Sequence, residues 1–563
     1  MRRHSWLWLL FALVAPFAFA AQVPAQLAPH RLFRVTLDSA STQPVSGRLL
    51  LFALPAKIAE KQSKDGKVTA IDTSPFDPTQ TAVAAMDVTD LAPGASVLVD
   101  ADALAFPEGF SKLAAGQYDM QAVLDVNHDY NYSGRTAGDL VSPVTHVEFD
   151  NDTTIPTLDL TRKLTHKPEP WTIPKSIPAA YRKYVDRLAK AMPAAKRHAR
   201  VIDFESPALT RFWGRPMHIQ GWVLLPPGYA KHPDRRYPTV YYTMGFGGNL
   251  PDLTMEATSF YEQMQKGEMP PMIWVLLNEG TPRGTHEFAD SVNNGPWGTA
   301  LTTELIPHLD ATYRTIAKSE GRFLTGHSSG GWATLWLQVR YPKIFGGTWS
   351  ISPDPSDFHN FTGADLYAPN ANVYVKPDGS PNPLVRIDGK VVATFKQFAQ
   401  LERVLGPYGG QMASFDYVFS PRGPDGRPEP MFNRSTGAVN PAVVKYWRDH
   451  YDIAYRIQTQ WPQLKPDLDG KIHLIVGTAD TFYLNESAEL LKAVLDKVGA
   501  HAEVQFRPGK THETVFFKGT NHDWLMQQDA WAMYHHVYPQ AKIPAQYREE
   551  MLPDIRQWET AAH

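Results

Sequence analysis

The sequence predicts an α/β fold, a mostly parallel sheet with helices on both faces, preceded by a small all-β, sandwich-like domain. From about residue 201 onward, apolar β-rich runs alternate with longer helical segments, as in a sheet that helices cover on both sides. Before residue 160, short runs with period-two alternation are separated by clusters of Pro, Gly, Asp and Asn, which is typical of antiparallel sandwiches. A chain of 563 residues is also too long for one ordinary domain.

Residues 1–21 have the pattern of a signal peptide. Arg2 and Arg3 provide a positive start, an apolar run extends from Trp6 to Phe19, and Ala18 and Ala20 are small residues suited to cleavage. The run is shorter than a membrane span of roughly 20 residues, with an uncleaved anchor as the alternative. We therefore expect a periplasmic or secreted protein without membrane attachment after cleavage. The absence of cysteine excludes disulfides and a cysteine-attached lipid.

Residues 22–160 are predicted to form the β-sandwich accessory domain. Its clearest strand-like runs are 31–37, 47–52 and 117–124. Residues 161–200 follow as a linker and connecting helix, which Pro193 is expected to interrupt. The basic residues of that helix are most simply explained as a solvated face.

Residues 125–136 of this domain resemble the start of a calcium-binding loop. The sixth position is Tyr130, where such a loop needs glycine, and the twelfth is Thr136, where it needs glutamate. We therefore interpret the segment as an Asx-rich turn and predict no metal site in it.

Residues 201–563 are predicted to form the catalytic domain. Strands are expected at 219–225, 239–243, 272–278, 346–351, 471–477 and 502–507, and helices at 302–313, 487–498 and 524–537. Residues 352–470 lack this rhythm and are rich in Pro, Gly and Asn. They are predicted to be an insertion that forms a lid or a pocket wall, with one helix over 446–455.

The clearest chemical signal lies in residues 322–331, Arg-Phe-Leu-Thr-Gly-His-Ser-Ser-Gly-Gly. The segment predicts a strand, a tight G-x-S-x-G turn and a helix that begins directly after Ser328. The glycines leave room for a turn that exposes the serine hydroxyl, and the start of the helix directs free N–H groups at developing negative charge. Ser328 is therefore the candidate nucleophile.

A serine nucleophile needs a base, and the base needs an acid that orients it. Asp480 follows the predicted strand 471–477 and is the candidate acid; the chain order Ser, Asp, His then places the base further downstream. His512 and His522 both satisfy that order. We favour His522 because the last predicted helix anchors it, and His512 remains the alternative. His327 is expected to line the pocket.

An oxyanion hole needs two backbone N–H groups. One is expected from Ser329, directly after the nucleophile. The other is expected from Phe246, in the glycine-rich loop 245–248 that follows the strand 239–243.

These motifs resemble an esterase family of α/β-hydrolases that includes feruloyl and acetylxylan esterases, siderophore esterases, S-formylglutathione hydrolases and mycolyltransferases. The matching segments are 225–229, 237–241, 245–248, 304–307, 326–331 and the surroundings of Asp480. The resemblance extends from about residue 201 to 538. It implies an α/β-hydrolase fold, ester substrates and no metal or organic cofactor.

The resemblance also bears on two positions of the candidate site. Members of the family carry the base in a His-Asp pair before the last helix, which resembles His522-Asp523. Members usually have histidine before the oxyanion-loop glycine, where this chain has Met244. That difference leaves the backbone donors in place, but the loop must be held by some group other than this histidine.

The sequence thus predicts an exported serine esterase with a Ser-His-Asp triad and an acyl-enzyme intermediate. The expected substrate is a small-molecule or carbohydrate-linked ester. Nucleic acid is not expected as a partner, because 55 basic and 58 acidic residues give a net charge of −3. A peptidase or acyltransferase with the same triad, and a non-catalytic binding protein on a hydrolase scaffold, are the alternatives.

Overall fold

The computed structural model describes residues 30–63, 67–150, 154–173 and 182–548. The predicted signal peptide, residues 1–21, lies outside these ranges. Within them, no helix combines the length and the apolar character that crossing a membrane requires.

The N-terminal β-rich region consists of two sheets, a three-stranded one in the order β4-β1-β9 and a larger one built around β2, β3 and β6. Its strands are β1 (Leu32–Leu37), β2 (Val45–Pro55), β3 (Ala82–Leu91), β4 (Ser96–Asp100), β5 (Ala105–Phe106), β6 (Gly116–Asp125), β7 (Leu140–Val141), β8 (Thr145–Phe149), β9 (Thr157–Leu160) and β10 (Arg162–Lys163). Its helices are α1 (Ala56–Gln62) and α2 (Tyr130–Ser133). Phe33 and Val35 of β1 share one buried cluster with Leu49 and Leu51 of β2, so this core lies between the two sheets.

The remaining strands are β11 (Ala199–Glu205), β12 (His218–Leu224), β13 (Thr239–Thr243), β14 (Ile273–Leu277), β15 (Gly280–Thr281), β16 (Gly284–Thr285), β17 (Asp290–Ser291), β18 (Gly295–Pro296), β19 (Arg322–His327), β20 (Gly347–Ile351), β21 (Pro383–Ile387), β22 (Lys390–Thr394), β23 (Ile472–Gly477) and β24 (Ala502–Arg507). Eight of them form the main sheet in the order β11-β12-β14-β13-β19-β20-β23-β24. The six strands from β14 to β24 in this order are parallel, and β11 and β12 pair antiparallel at one edge.

The remaining helices are α3 (Arg182–His198), α4 (Pro207–Trp213), α5 (Leu250–Lys266), α6 (Trp297–Ala300), α7 (Ile306–Thr312), α8 (Ser329–Arg340), α9 (Phe395–Leu405), α10 (Gln411–Phe419), α11 (Pro441–Tyr451), α12 (Ile453–Leu468), α13 (Leu484–Val498), α14 (Trp524–Val537) and α15 (Ala545–Arg548). Helices α3, α5 and α14 contribute to one buried cluster with the main sheet, and α4, α6, α7 and α8 contribute to another. The predicted mostly parallel sheet with helices on both faces is confirmed.

The connecting helix differs from the prediction, because α3 continues through Pro193 without a break. Its buried residues Val185, Leu188, Met192 and Ala195 recur every three or four positions. Burial of this apolar stripe offsets the backbone hydrogen bond that proline cannot donate.

The insertion 352–470 is more regular than its composition suggested, since it contains α9, α10, α11, α12 and a small hairpin of β21 and β22. The single helix predicted over 446–455 is divided between α11 and α12. Asp452 separates the two, and its carboxylate accepts a hydrogen bond of 2.7 Å from the backbone N–H of Tyr455, which starts the second helix. The insertion also covers the N-terminal region, because Leu401 and Val404 of α9 share a buried cluster with Leu50 and Phe52 of β2.

Candidate active site

Ser328 occupies the sharp turn between β19 and α8, with φ 60° and ψ −126°. This positive φ is a strained conformation for a residue with a side chain. A Cβ atom on Gly326 would lie 2.4 Å from the carbonyl oxygen of Gly330, and one on Gly330 would lie 2.4 Å from that of Thr243. The turn therefore needs glycine at both positions. Ser328 itself is part-exposed, as a nucleophile must be.

The structure brings His512 to Asp480. Nδ1 of His512 lies 2.8 Å from Oδ2 of Asp480, and both side chains are buried. Oδ1 of Asp480 also accepts hydrogen bonds from the backbone N–H groups of Phe482, at 2.9 Å, and Leu484, at 3.2 Å. The carboxylate is thus fixed in orientation and holds the Nδ1 edge of the imidazole.

His512 also contacts the residue that precedes the nucleophile. The ring centroids of His327 and His512 are 4.2 Å apart, and Nε2 of His327 donates a hydrogen bond of 3.1 Å to the carbonyl oxygen of His512. These contacts hold the His512 backbone and ring beside the turn that carries Ser328. His327 lies next to the candidate base, at the site that it was expected to line.

The pair has the electrostatics of a base and its orienting acid. Burial disfavours the charged imidazolium of His512, but the adjacent Asp480 carboxylate outweighs it and raises the pKa of His512 above its ordinary value. Burial opposes the charge of Asp480 as well, yet the His512 charge and the three hydrogen bonds lower the pKa of this carboxyl. Asp480 is therefore ionised at neutral pH and stabilises the protonated form of His512.

The sequence favoured His522 as the histidine that pairs with Asp480, and this prediction is wrong, because the paired histidine is His512. The His522 ring stacks on Phe517, with centroids 4.2 Å apart, and on Tyr184, with centroids 5.8 Å apart. Its neighbour Asp523 is bound by Arg187, at 2.8 Å, and by the hydroxyl of Tyr184, at 3.1 Å. These contacts attach the start of α14 to α3.

The glycine-rich loop 245–248 crosses close to the nucleophile. A Cβ atom on Gly245 would lie 2.7 Å from Cβ and 3.3 Å from Oγ of Ser328. The loop turns tightly, because the N–H of Gly248 donates to the carbonyl oxygen of Gly245 at 3.1 Å. Phe246 is therefore part of the loop beside Ser328, and the N–H of Ser329 belongs to the first turn of α8, where no intrahelical acceptor is available.

Two side chains hold this loop in place of the histidine that the resemblance led us to expect. A Cβ atom on Gly248 would lie 2.7 Å from Cβ of Met244, so Met244 packs directly beneath the loop. The hydroxyl of Tyr132 donates a hydrogen bond of 2.8 Å to the carbonyl oxygen of Gly248. The Tyr132 ring also packs edge-on against Phe246, with centroids 5.1 Å apart.

Tyr132 belongs to α2 of the N-terminal region, and the sequence analysis did not identify it. The preceding Asn131 donates from Nδ2 to the carbonyl oxygens of Glu402 and Gly406, at 3.0 and 3.1 Å. The turn first considered as a calcium loop thus carries a contact between domains. Among the described residues, no group of three or more His, Cys, Asp or Glu side chains could hold a metal ion.

The wall behind the nucleophile turn contains buried carboxyl groups. The hydroxyl of Ser329 donates a hydrogen bond of 2.6 Å to Asp354, and burial raises the pKa of Asp354 to about 6. Burial also raises the pKa of Glu279 and Glu287 well above the ordinary range. Gln411 of the insertion reaches the Ser329 hydroxyl at 3.4 Å, so the insertion contributes to this wall.

A family model described as "Putative esterase" matches residues 212–532, more than half of the chain. The chain belongs to this esterase family. The match includes Ser328, Asp480 and both candidate histidines, and it does not include the N-terminal region that carries Tyr132.

Two curated proteins are similar to part of this chain. Esterase MT1326 and Esterase Rv1288, from two strains of Mycobacterium tuberculosis, are each 29% identical over 190 residues, 30% of this chain and 41% of theirs. The match thus spans about two-fifths of the length of these relatives.

Solved structures of esterases are also similar to the chain. An S-formylglutathione hydrolase from Agrobacterium tumefaciens is 13% identical, with 60% of this chain and 94% of that chain covered and a TM-score of 0.33. The feruloyl esterase module from Clostridium thermocellum is 13% identical, with 62% and 90% covered and a TM-score of 0.32.

Proposed function

We propose that this member of the esterase family is an exported serine esterase that hydrolyses carboxylic esters with Ser328, His512 and Asp480. The observation that carries the proposal is the buried 2.8 Å hydrogen bond between His512 and Asp480. This bond lies beside a turn that presents Ser328 in the strained backbone conformation of a nucleophile elbow. His512 replaces His522 in the triad that the sequence predicted.

In this mechanism, Oγ of Ser328 attacks the ester carbonyl carbon while Nε2 of His512 takes the hydroxyl proton. Asp480 keeps Nδ1 of His512 protonated and stabilises the imidazolium. The N–H groups of Ser329 and Phe246 donate to the oxyanion of the tetrahedral intermediate. When the C–O bond breaks, His512 returns the proton to the leaving alcohol, and the acyl group stays on Ser328.

Water then attacks the acyl-enzyme with the same pattern of proton transfers. His512 takes a proton from water, the resulting hydroxide attacks the acyl carbon, and the proton returns to Oγ of Ser328 as the carboxylic acid leaves. No metal or organic cofactor takes part in these steps. The proposed substrates are small-molecule or carbohydrate-linked esters.

Export is the second part of the proposal and is supported by the signal-peptide pattern of residues 1–21. Cleavage after that segment would release a periplasmic or secreted enzyme. Expression of the full chain in a Gram-negative host followed by fractionation and N-terminal sequencing tests this part. A protein that keeps residues 1–21 and stays with the membrane fraction would contradict it.

Hydrolysis of p-nitrophenyl acetate by purified protein tests the chemistry. Ser328→Ala should reduce kcat to the background rate, because no other group replaces the attacking oxygen, while thermal unfolding remains cooperative. Ser96→Ala is the control, since it also removes a serine hydroxyl, but from an exposed position of β4 in the N-terminal region. Wild-type activity in folded Ser328→Ala would contradict the proposal.

A further inference from the structure

A cavity of about 980 Å³ opens beside the candidate active site. It lies where residues 213–220, residues 278–297 and the insertion meet, and Asn127 of the N-terminal region also lines it. Ser328 and His512 are not among its lining residues. The cavity is nevertheless adjacent to the oxyanion loop, because Gly280 lines it and a Cβ atom on Gly280 would lie 2.9 Å from the carbonyl oxygen of Gly248.

The lining of this cavity is strongly positive. Its charged residues are Arg215, Arg283, Arg422, Arg427 and Asp203, which is an excess of three positive charges in a chain whose net charge is −3. Within the described part of the chain, none of the four guanidinium groups forms an ion pair with a carboxylate. A concave surface with uncompensated positive charge concentrates anions.

Aromatic rings make up a second part of the wall. The guanidinium of Arg283 lies 4.7 Å from the centroid of the Trp213 ring and 5.4 Å from that of Tyr417. The ring of His286 stacks on Trp297 at 3.7 Å. Burial lowers the pKa of His286 to about 3, so this ring is neutral and adds no charge to the wall.

Asn294 fixes this wall and has unused hydrogen-bonding capacity. Its backbone carbonyl oxygen accepts hydrogen bonds from the indole N–H groups of Trp213, at 3.2 Å, and Trp297, at 2.9 Å. The residue is 3% exposed, and its side-chain nitrogen Nδ2 has no hydrogen-bond partner within the described structure. A buried donor without a partner is costly, and a ligand in the cavity could accept a hydrogen bond from it.

We propose that this cavity binds a ring-bearing organic anion, with guanidinium groups on the carboxylate and the aromatic wall against the ring. Arginine pairs with carboxylates in a planar, bidentate geometry, and the C–H face of a sugar ring packs on the apolar faces of aromatic side chains. A uronic-acid oligosaccharide has both features. Resting on the proposed function, the anion is the non-reacting part of the ester whose carbonyl carbon Ser328 attacks.

Binding is tested first on Ser328→Ala, so that turnover does not interfere. The probe is a galacturonic acid trimer, compared with its fully methyl-esterified, neutral analogue. Calorimetry and quenching of tryptophan fluorescence should show that the acid binds more tightly than the neutral analogue. Equal affinity for the two, or no binding of the acid, would overturn the proposal.

The arginine contribution is tested with the double variant Arg215→Gln, Arg427→Gln, because both side chains are exposed and their replacement should not disturb the core. Affinity for the acid should fall by roughly 10- to 100-fold, as expected when hydrogen bonds to a charged group are lost. The matched control Arg34→Gln, on an exposed arginine of β1, should bind as before. Equal affinity in the double variant would overturn the assignment of these residues.

The same double variant separates this proposal from the proposed function. Made in the protein that keeps Ser328, it should hydrolyse neutral p-nitrophenyl acetate at the rate of the protein without the two substitutions, because the acetate has no anionic group and the cavity lies outside the set of reacting groups. Acid binding by a protein that hydrolyses no ester would support the anion site and overturn the proposed function. Esterase activity without any acid binding would support the proposed function and overturn the anion site.

Discussion

Two loops beyond β24 each place a histidine near an aspartate, and the two pairs have different surroundings. His512 is buried, is bonded to Asp480 and contacts the residue before Ser328. His522 stacks between Phe517 and Tyr184. The comparison teaches that the environment of each histidine, and not its position before a helix, decides which can act as the base.

The aspartates differ in the same way. Asp480 is held by two backbone N–H groups and directs its second oxygen to an imidazole. Asp523 accepts hydrogen bonds from Arg187, Tyr184 and Ser259, so its oxygens connect three elements of the fold. The first pair supports proton transfer, and the second supports packing.

Replacement of the first aspartate should have the largest effect. Asp480→Asn removes the charge that raises the pKa of His512, and loss of the orienting acid should lower kcat by roughly 10³- to 10⁴-fold. His512 acts only when neutral, so wild-type kcat/KM should fall as the pH drops through its raised pKa, above the ordinary value of about 6.5. In the variant, the acid limb should move to lower pH. A pH–rate profile checks this, and an unchanged acid limb would contradict it.

The active-site geometry was predictable to different extents. Ser328 and Asp480 were predicted because each follows a strand whose apolar pattern and turn residues are local in sequence. The sequence named both His512 and His522 as candidates, but the pairing of His512 with Asp480 could not be predicted, since it depends on how one loop packs on another. The N–H of Ala479 donates to the carbonyl oxygen of Lys510 at 3.0 Å, and that contact directs His512 towards Asp480.

The fold shows the same limit. The strand 239–243 and the helix 524–537 were predicted with the bounds that the structure has, because their apolar patterns are strong. The helices of the insertion were mostly missed, since Pro and Gly between them obscured the periodicity. The contact of Tyr132 with Gly248 of the loop 245–248 joins residues 116 positions apart, and nothing in either segment alone indicates it.

Tyr132→Phe should have an intermediate effect. The variant tests whether the candidate active site around Ser328 depends on the N-terminal region. The variant keeps the ring against Phe246 and removes the hydrogen bond to Gly248. Loss of one such bond, about 1 kcal/mol, should lower kcat for p-nitrophenyl acetate by about fivefold, with KM little changed. Tyr132→Ala should lower kcat further. Wild-type kcat in both variants would show that Tyr132 does not position the loop.

Asp523→Asn should have the smallest effect on catalysis and a clear effect on stability. Its carboxylate is buried and accepts from three side chains, so the change should lower the free energy of unfolding by about 1–3 kcal/mol. Chemical denaturation measures that loss, while kcat/KM should stay within about twofold. If folded Asp523→Asn lost as much activity as Asp480→Asn, the loop that carries His522 and Asp523 would take part in catalysis, and the account would be wrong.

The most direct test is the rate at which a fluorophosphonate reagent labels Ser328, followed by peptide mass spectrometry. The reaction needs an activated serine but no turnover, so it reports on the base itself. We predict that His512→Ala slows labelling by at least roughly 10³-fold, whereas His522→Ala is labelled at nearly the wild-type rate. Normal labelling of folded His512→Ala together with loss of labelling in His522→Ala would contradict the assignment of His512 as the base.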